Sequence, residues 1–510
     1  MIEYFQILCG IAIVFLSLYY YNISTYDFWK IRKVPGPTPQ AFFGNFKEIF
    51  YKQASMSEHI KKLYDDYKNE PMFGIFEGRT PTLMVNDTNE IKNVLVRDFN
   101  VFADRGIPYY KRVEPLSEHL FFLESERWKP VRAKLSPVFT SGKMKEMFPL
   151  IVDCAVKLEQ YLDKLVNKGK PIECRELAAK FTTDVIGSCV FGIETKALSD
   201  ENSEFREMGR RFFEPCIRTT VRTAIRQFLP GLYNIIGDYL QAVGVSDFFI
   251  KVVIDTMKYR KAHNIYRPDF INALIDLRDH PEKVPTAELT DTFLTSQAFV
   301  FFVAGFETSS TTIAHTLYEL AQNHDVQNKL REEIVRSNAI HGKELTYDIV
   351  KAMKYLDKVF KETLRKYPIL PMIPREALAD YTFESTKVSI PKGTKVWIPA
   401  SGIHADPNFY PNPDKFDPER FSEEAVASRN PMSYLPFGDG PRICIGARFA
   451  YYQAKVGIIS IIRNYKVDVC EESIIPYKHE PQALLLSPEG GVTLKVTKLS
   501  QLNGHMQSAK

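Results

Sequence analysis

"FGDGPRICIG", residues 437–446, sets one cysteine, Cys444, between two isoleucines in a turn otherwise built from glycine, proline and charge. The chain has 7 cysteines: Cys9, Cys154, Cys174, Cys189, Cys216, Cys444 and Cys470. A thiolate is the metal-binding form of the side chain, and positive neighbours and backbone amide donors lower its pKa. Gly440 and Gly446 free the turn to point amides at the sulfur, and Arg442 adds positive charge. No second cysteine or histidine stands at zinc spacing, which argues against a structural zinc site. One axial thiolate on haem is the metal chemistry that needs a single protein ligand. A small buried structural cysteine is the competing reading, and the turn alone does not decide between them.

Working outward, the 510 residues are 45% hydrophobic, 25% charged and 13% aromatic, the profile of a globular chain. A net charge of +4, spread along the sequence, gives no case for nucleic-acid binding. The odd cysteine count and the lack of any CxxC pair point to a reducing compartment. The one break in composition is at the start. "YFQILCGIAIVFLSLYYY", residues 4–21, carries no charge and reaches the length a bilayer-spanning helix needs. It lacks a basic n-region and a small-x-small cleavage site, so it reads as a retained signal anchor. Trp29 is expected at the membrane interface. Lys30, Arg32 and Lys33 follow the span and only Glu3 precedes it, which puts the bulk of the chain in the cytosol. "VPGPTP" (34–39) should act as a stiff hinge. The expected organisation is an anchor (1–21), a basic linker with a proline-rich hinge (22–39) and one catalytic domain (40–510).

Beyond the hinge the patterns are mainly helical with small sheets. "MFGIFEGRTPTLMVND" (72–87) predicts a hairpin, and "YTFESTKVSIPKGTKVWIPA" (381–400) repeats that logic with Pro-Lys-Gly at its turn. Helices should dominate from about residue 140 to 370, and the last dozen residues read as a loose polar tail. "TDTFLTSQAFVFFVAGFETSSTTIAHTLYELAQN" (290–323) is too long and too apolar for a surface helix and should cross a core. Helical spacing puts Phe301, Ala304, Gly305, Thr308 and Thr312 on one stripe. Gly305 costs roughly 1 kcal/mol against alanine there, and Glu307 is expensive unless paired or wetted. Two readings stand side by side: close helix packing with threonine bonded back to the preceding turn, or a kinked helix with a polar notch for a ligand. In "KETLRKYP" (361–368), Glu362 and Arg365 share a helix face, and Arg420 of "FDPERF" could complete a buried ionic network.

"FGDGPRICIG" resembles the haem-binding signature F-x-x-G-x-R-x-C-x-G of the cytochrome P-450 family at every fixed position. "AGFET" (304–308) resembles that family's oxygen-activating segment, Glu362-x-x-Arg365 its E-x-x-R motif, "PERF" the partner arginine, and "WKPVR" (128–132) its W-x-x-x-R motif. The anchor and the "PGPTP" hinge are similar to the microsomal class. "FADRG", "SPVFTSGKMKEMFP" and "YRPDFINALIDL" look most like the insect detoxification branch. The implied fold is mainly α with small β-sheets, with a long central helix over haem.

The resemblance assigns roles by position. Cys444 becomes the axial ligand of a haem b iron, with Phe437 packed beside the haem. Trp128, Arg132, Arg375, Arg442 and, more weakly, Arg105 would bind the propionates. Ala304, Gly305 and Gly446 would line the haem site. Thr308 and Glu307 would handle oxygen activation and proton delivery, and Glu362, Arg365 and Arg420 would be structural. Pro130 is tolerated only in a first helical turn, so the helix of "WKPVR" should start near Trp128. Candidate substrate contacts are Phe121, Phe122, Phe212, Phe213, Phe301, Phe302, Ile369, Ile373 and Leu485.

No nucleotide-binding motif is present, so electrons from NADPH must arrive through another protein. The resemblance implies NADPH-cytochrome reductase, with cytochrome b5 as a second partner. Lys129, Lys134, Lys143, Lys145, Arg448 and Lys455 are the basic candidates for that contact. "RQFLPGLYNIIGDYLQAV" (226–243) is expected to dip into the membrane surface of the endoplasmic reticulum. Lipophilic plant toxins and insecticides fit the apolar pocket, and so does a fatty acid or hormone precursor. A reductase-independent haem-thiolate isomerase and a non-catalytic haem ligand-binding protein are the alternatives; an intact Glu307-Thr308 pair argues against the first.

Overall fold

The computed structural model describes residues 2–213, 217–267, 269–342, 344–483 and 485–500; Cys216 and the tail from residue 501 lie outside them. The chain is mainly α with small sheets. It divides into two interleaved compact units, one of Met1–Ile107, Leu370–Phe409 and Asn430–Arg442, the other of Pro108–Ile369, Tyr410–Arg429 and Ile443–Lys510. The six cysteines among the described residues form no disulfide with one another.

The smaller unit is built on a four-stranded sheet of β1 (Met72–Glu77), β2 (Thr80–Val85), β3 (Ile373–Glu376) and β4 (Lys395–Ile398), in the order β1-β2-β4-β3. The expected hairpin is β1–β2, paired in register from Met72 with Val85 to Glu77 with Thr80. The second expected hairpin is corrected. Tyr381–Thr382 pairs with Ser389–Ile390 in a sheet of its own, while β4 runs parallel to β2 and antiparallel to β3. The Pro-Lys-Gly turn therefore joins two sheets; Gly393, at φ 85°, donates its amide to Ala377 O at 2.7 Å. Physically, Val396, Trp397 and Ile398 are all buried. A central strand covers both of its faces and both of its edges, and a two-stranded hairpin does not.

Helix α1 (Ile2–Ile23) is exposed along its length, and Glu3–Ile31 is long and apolar enough to cross a membrane. One expectation for residues 22–39 is overturned. Trp29 is no interface anchor: it is 3% exposed and its Nε1 donates to Ile75 O at 3.0 Å. The proline stretch, expected to be a stiff hinge, is tied to β1: Gly74 N donates to Pro35 O at 2.8 Å, and Val34 is buried. Prolines hold the backbone extended with its carbonyls unpaired, and the open edge of β1 uses them. This segment belongs to the smaller unit's core packing.

The larger unit is helical. Its site-bearing elements are α2 (Ser125–Leu135), α3 (Ser141–Val166), α4 (Cys174–Ile186), α5 (Asp291–Gln322), α6 (Lys354–Lys366) and α7 (Ala447–Asn464). Helix α5 is the expected core helix, about 48 Å long at 1.5 Å per residue. Thr290 caps it by accepting from Phe293 N at 3.1 Å. It packs on α4 and α7. An added Cβ on Gly305 would overlap Ile186 of α4, and one on Gly457 of α7 would press on Phe181 and Ile313. Glycine at 305 thus serves close helix approach, the first of the two readings for that position. Helix α2 starts at Ser125, a turn before the expected Trp128, and holds Pro130 in its interior. Proline there cannot donate to the carbonyl of Glu126, and Thr286 Oγ1 donates to that carbonyl instead, at 3.3 Å.

Candidate functional site

In the larger unit Cys444 is exposed and stands one turn before α7, whose N-cap is Gly446. A helix N-terminus favours a negative group, which for a cysteine side chain is the thiolate form. Arg132 of α2 donates from Nη2 to Ile443 O at 2.7 Å, so its guanidinium is fixed beside the cysteine. Burial lowers the Arg132 pKa, and the Cys444 charge acts against that lowering. The same guanidinium lies 5.6 Å from the Trp128 ring centroid, with Trp128 itself buried. The interior proline has therefore not turned Arg132 away. An added Cβ on Gly446 meets no atom within 4 Å. Gly440 has a different reason: at φ 72°, an added Cβ would overlap the Leu95 carbonyl within the smaller unit.

Helix α5 is buried nearly throughout from Phe293 to Ala321, with its opening in the middle. There Ala304 is exposed, and Val300, Val303, Gly305 and Thr308 are half-buried. Five consecutive carbonyls accept side-chain hydrogen bonds. Thr308 Oγ1 donates to Ala304 O at 2.6 Å, Gln453 Nε2 of α7 to Gly305 O at 3.2 Å and Thr182 Oγ1 of α4 to Phe306 O at 2.9 Å. Ser310 Oγ and Thr312 Oγ1 donate to the carbonyls of Glu307 and Thr308 at 3.0 and 2.8 Å. Such donors compete with the helical ladder and loosen it locally. Glu307, 5% exposed, is not left bare: its carboxylate is ion-paired with Arg175 of α4. Burial alone would lower the Arg175 pKa, but the Glu307 charge and hydrogen bond raise it overall. Arg175 and Gln453 are the residues sequence reading missed. Arg175 stands 132 positions from its partner, and nothing local marks it.

In the smaller unit Arg375 (on β3) and Arg442 are 1% and 2% exposed. Arg375 donates from Nη1 to Pro374 O at 2.8 Å, and its Nε has no partner among the described residues. Burial and the Arg442 charge push the Arg375 pKa down to about 9. Burying two positive groups side by side is costly, and a negative charge brought to them offsets that cost. Arg105 follows Asp104, whose backbone bridges to Glu376, the neighbour of Arg375. Arg105 and Phe437 are both half-buried.

The E-x-x-R group forms a closed network in the larger unit. Arg365 Nε and Nη2 donate to the two Glu362 oxygens at 2.7 and 2.8 Å, and Nη2 also donates to Pro413 O at 2.7 Å. Asp417 N donates to Glu362 Oε1 at 3.0 Å, and Arg420 Nε lies 3.3 Å from the same oxygen. Arg420 Nη2 donates to Asn412 O at 2.7 Å, which ties the loop before it to the network.

Among the apolar candidates, Phe302 is corrected. It is fully buried among Phe191, Phe205, Phe249 and Phe306, facing the core. Phe301 sits between Phe139 and Phe270, 9% exposed. Adjacent residues on a helix point to different faces, so both could not line one wall. Phe121, Phe122, Phe212 and Phe213 are half-buried, and Leu486 N donates to Ile369 O at 3.1 Å, drawing Leu485 beside Ile369. Ile373 lies on β3, 9% exposed. Lys455 is also corrected: it is 6% exposed with its Nζ 2.6 Å from Asp357, and so is not available to a docking protein. Lys143 and Lys145 pair with Glu146 and Asp348 at 2.7 and 2.9 Å, while Lys129, Lys134 and Arg448 are exposed.

Comparison with known proteins identifies the family. Residues 34–496 match the family profile described as Cytochrome P450. The chain is 40% identical over 502 residues to Cytochrome P450 6a2 of Drosophila melanogaster, covering 96% of this chain and 98% of that protein. It is 39% identical over 507 residues to Cytochrome P450 6k1 of Blattella germanica, covering 96% of each, and 39% identical over 487 residues to Cytochrome P450 6A1 of Musca domestica, covering 94% and 95%. The chain belongs to the cytochrome P450 family and is a haem-dependent monooxygenase.

Proposed function

We propose that this monooxygenase inserts one oxygen atom from O2 into lipophilic molecules such as plant toxins or insecticides, with electrons from NADPH delivered by a reductase at the endoplasmic reticulum membrane. The observation that carries this reading is the opening in α5, where Ala304 and Thr308 are reachable in an otherwise buried helix beside Glu307.

The residues present fit a haem. Cys444, at a helix N-terminus beside Arg132, has the surroundings of a thiolate ligand. Arg375, with its buried Nε unpartnered and its pKa depressed, suits a propionate. Within the smaller unit Arg442 is a second propionate candidate, with Arg105 as a weaker one and Phe437 as the candidate ring beside the haem; within the larger unit the candidates are Trp128 and Arg132. When bound, the haem supplies the redox chemistry that activates oxygen. The chain's own part is to hold, orient and protonate. Thr308 Oγ1, now donating to Ala304 O, can turn its proton toward a ligand over that exposed alanine. Glu307 is the acid beside it, restrained by Arg175. A Thr308→Ala enzyme should keep its haem while more of the NADPH electrons leave as peroxide; unchanged coupling would contradict the role.

In the larger unit the half-buried rings of Phe121, Phe122, Phe212 and Phe213, with Ile369 and Leu485, support an apolar ligand held by shape; Ile373 is the smaller unit's candidate. The segment at 226–243 supports delivery from lipid, because Leu229, Leu232, Ile235, Tyr239 and Val243 are 40–81% exposed. Lys129, Lys134 and Arg448 remain as the exposed basic candidates for the reductase; turnover should fall as salt rises, and Lys455→Ala should not change that slope. The test is turnover of lipophilic toxins in microsomes with NADPH, with and without the reductase. Reductase-dependent product is expected. Folded, haem-loaded enzyme that gives product equally well without the reductase would overturn the electron route.

A further inference from the structure

Five residues, Ser24 to Phe28, separate the end of α1 from Trp29 in the core of the smaller unit. Turns carry the backbone across this gap: Ser24 N donates to Tyr20 O, Tyr26 N to Ile23 O and Phe28 N to Thr25 O, each at 3.0 Å. The side chains clasp the β1–β2 turn at Gly78-Arg79. Thr25 Oγ1 donates to Arg79 O at 2.6 Å, and Tyr26 OH lies 2.8 Å from Gln40 O and 3.3 Å from Gly78 O. The Tyr26 ring packs on Phe76 at 5.1 Å.

The turn also reaches back to the helix. The Arg79 guanidinium lies 3.6 Å from the ring centroid of Tyr21, in the last turn of α1, and its Nη2 is 3.4 Å from Ser24 Oγ. Its Nε is buried with no hydrogen-bond partner among the described residues, so the tyrosine face is what receives that charge. Asn22, the next residue of α1, joins the same cluster: its Oδ1 accepts from Phe42 N at 2.6 Å and from Tyr26 OH at 3.2 Å. Contacts made by two α1 residues themselves, Tyr21 and Asn22, are not what a flexible tether between a membrane span and a folded unit requires.

We infer that the hairpin turn Gly78-Arg79 is a socket that clamps the base of the anchor helix. The clamp fixes how the smaller unit is oriented to the lipid bilayer crossed by α1. This rests on the reading of α1 as a membrane anchor.

Hydrogen–deuterium exchange of the full-length protein in lipid nanodiscs tests it, alongside carbonate washing of membranes that carry the same protein. Peptides covering residues 22–34 and 40–46 should be protected in wild type. Arg79→Ala, and separately the milder Thr25→Val, should speed exchange in 22–34 at least tenfold while β2 peptides stay unchanged. Fast exchange at 22–34 in wild-type protein that resists carbonate would overturn the clamp and leave the anchor standing. Protection that neither substitution moves would overturn the assignment to Arg79 and Thr25. Release of wild-type protein by carbonate would overturn the anchor, and the clamp with it.

Discussion

Two buried arginine clusters in this enzyme look alike in sequence and differ in physics. Around Glu362 the charges close on themselves: one carboxylate takes Arg365 in a two-pronged hydrogen bond, holds Arg420 at 3.3 Å and accepts the amide of Asp417. Around Arg375 one donor is left over: its Nε has no hydrogen-bond partner among the described residues. That guanidinium is equally buried, stands beside a second arginine, and has its pKa pushed down to about 9. A closed network is an internal strut. A guanidinium with a donor to spare suits an anion brought from outside, the role proposed above for a haem propionate.

The sharpest way to break that comparison is to neutralise one member of each cluster. Glu362→Ala leaves two buried guanidiniums without their carboxylate, and should cost about 3–5 kcal/mol in denaturant unfolding. Arg375→Met should act in the opposite direction on the haem-free protein, leaving stability unchanged or raising it by roughly 1–4 kcal/mol. The same change should weaken haem retention at least tenfold, about 1.4 kcal/mol, in a haem-transfer assay. A haem-free Arg375→Met protein destabilised as much as Glu362→Ala would erase the distinction.

pH sharpens the same point. The folded haem-free protein favours neutral Arg375, so its depressed pKa adds stability at high pH that is lost as pH falls to about 9; below that the cost of the buried charge is complete and constant. The stability advantage of Arg375→Met over wild type should thus be flat below about pH 8 and shrink by about pH 10.5, measured as the difference in urea midpoints. An advantage that grows over that range would contradict the sign. The smallest expected effect is at Arg420, 10% exposed at the edge of the closed network. Arg420→Lys keeps the charge but loses the fork that serves Glu362 and Asn412 together, for a loss of about 1 kcal/mol.

Much of this is legible in the amino-acid sequence alone. The Cys444 turn, the long buried helix at 291–322 and the Glu362/Arg365 pair are local patterns in which spacing along the chain is itself the signal. The features that are not legible depend on partners far away. Trp29 comes after an apolar span and reads as an interface aromatic, yet Ile75 O claims its indole N–H. The Pro-Lys-Gly turn reads as a hairpin until β2 takes β4 as a parallel neighbour. Gly305 carries two readings, and only Ile186 across the helix interface chooses close packing. Phe302 and Lys455 have the composition of a pocket wall and of a docking patch; packing buries both. Pro130 looks like the start of a helix because the donor that serves the carbonyl it leaves unpaired, Thr286, is 160 positions away.

The central claim is that Cys444 serves as a thiolate on haem iron, and the carbon-monoxide difference spectrum of the reduced protein reads that bond directly. Wild type in microsomes should give a strongly red-shifted Soret band that is lost in Cys444→Ser. Well-folded, haem-loaded wild type that shows only the shorter-wavelength band of a thiol- or histidine-ligated haem would contradict it.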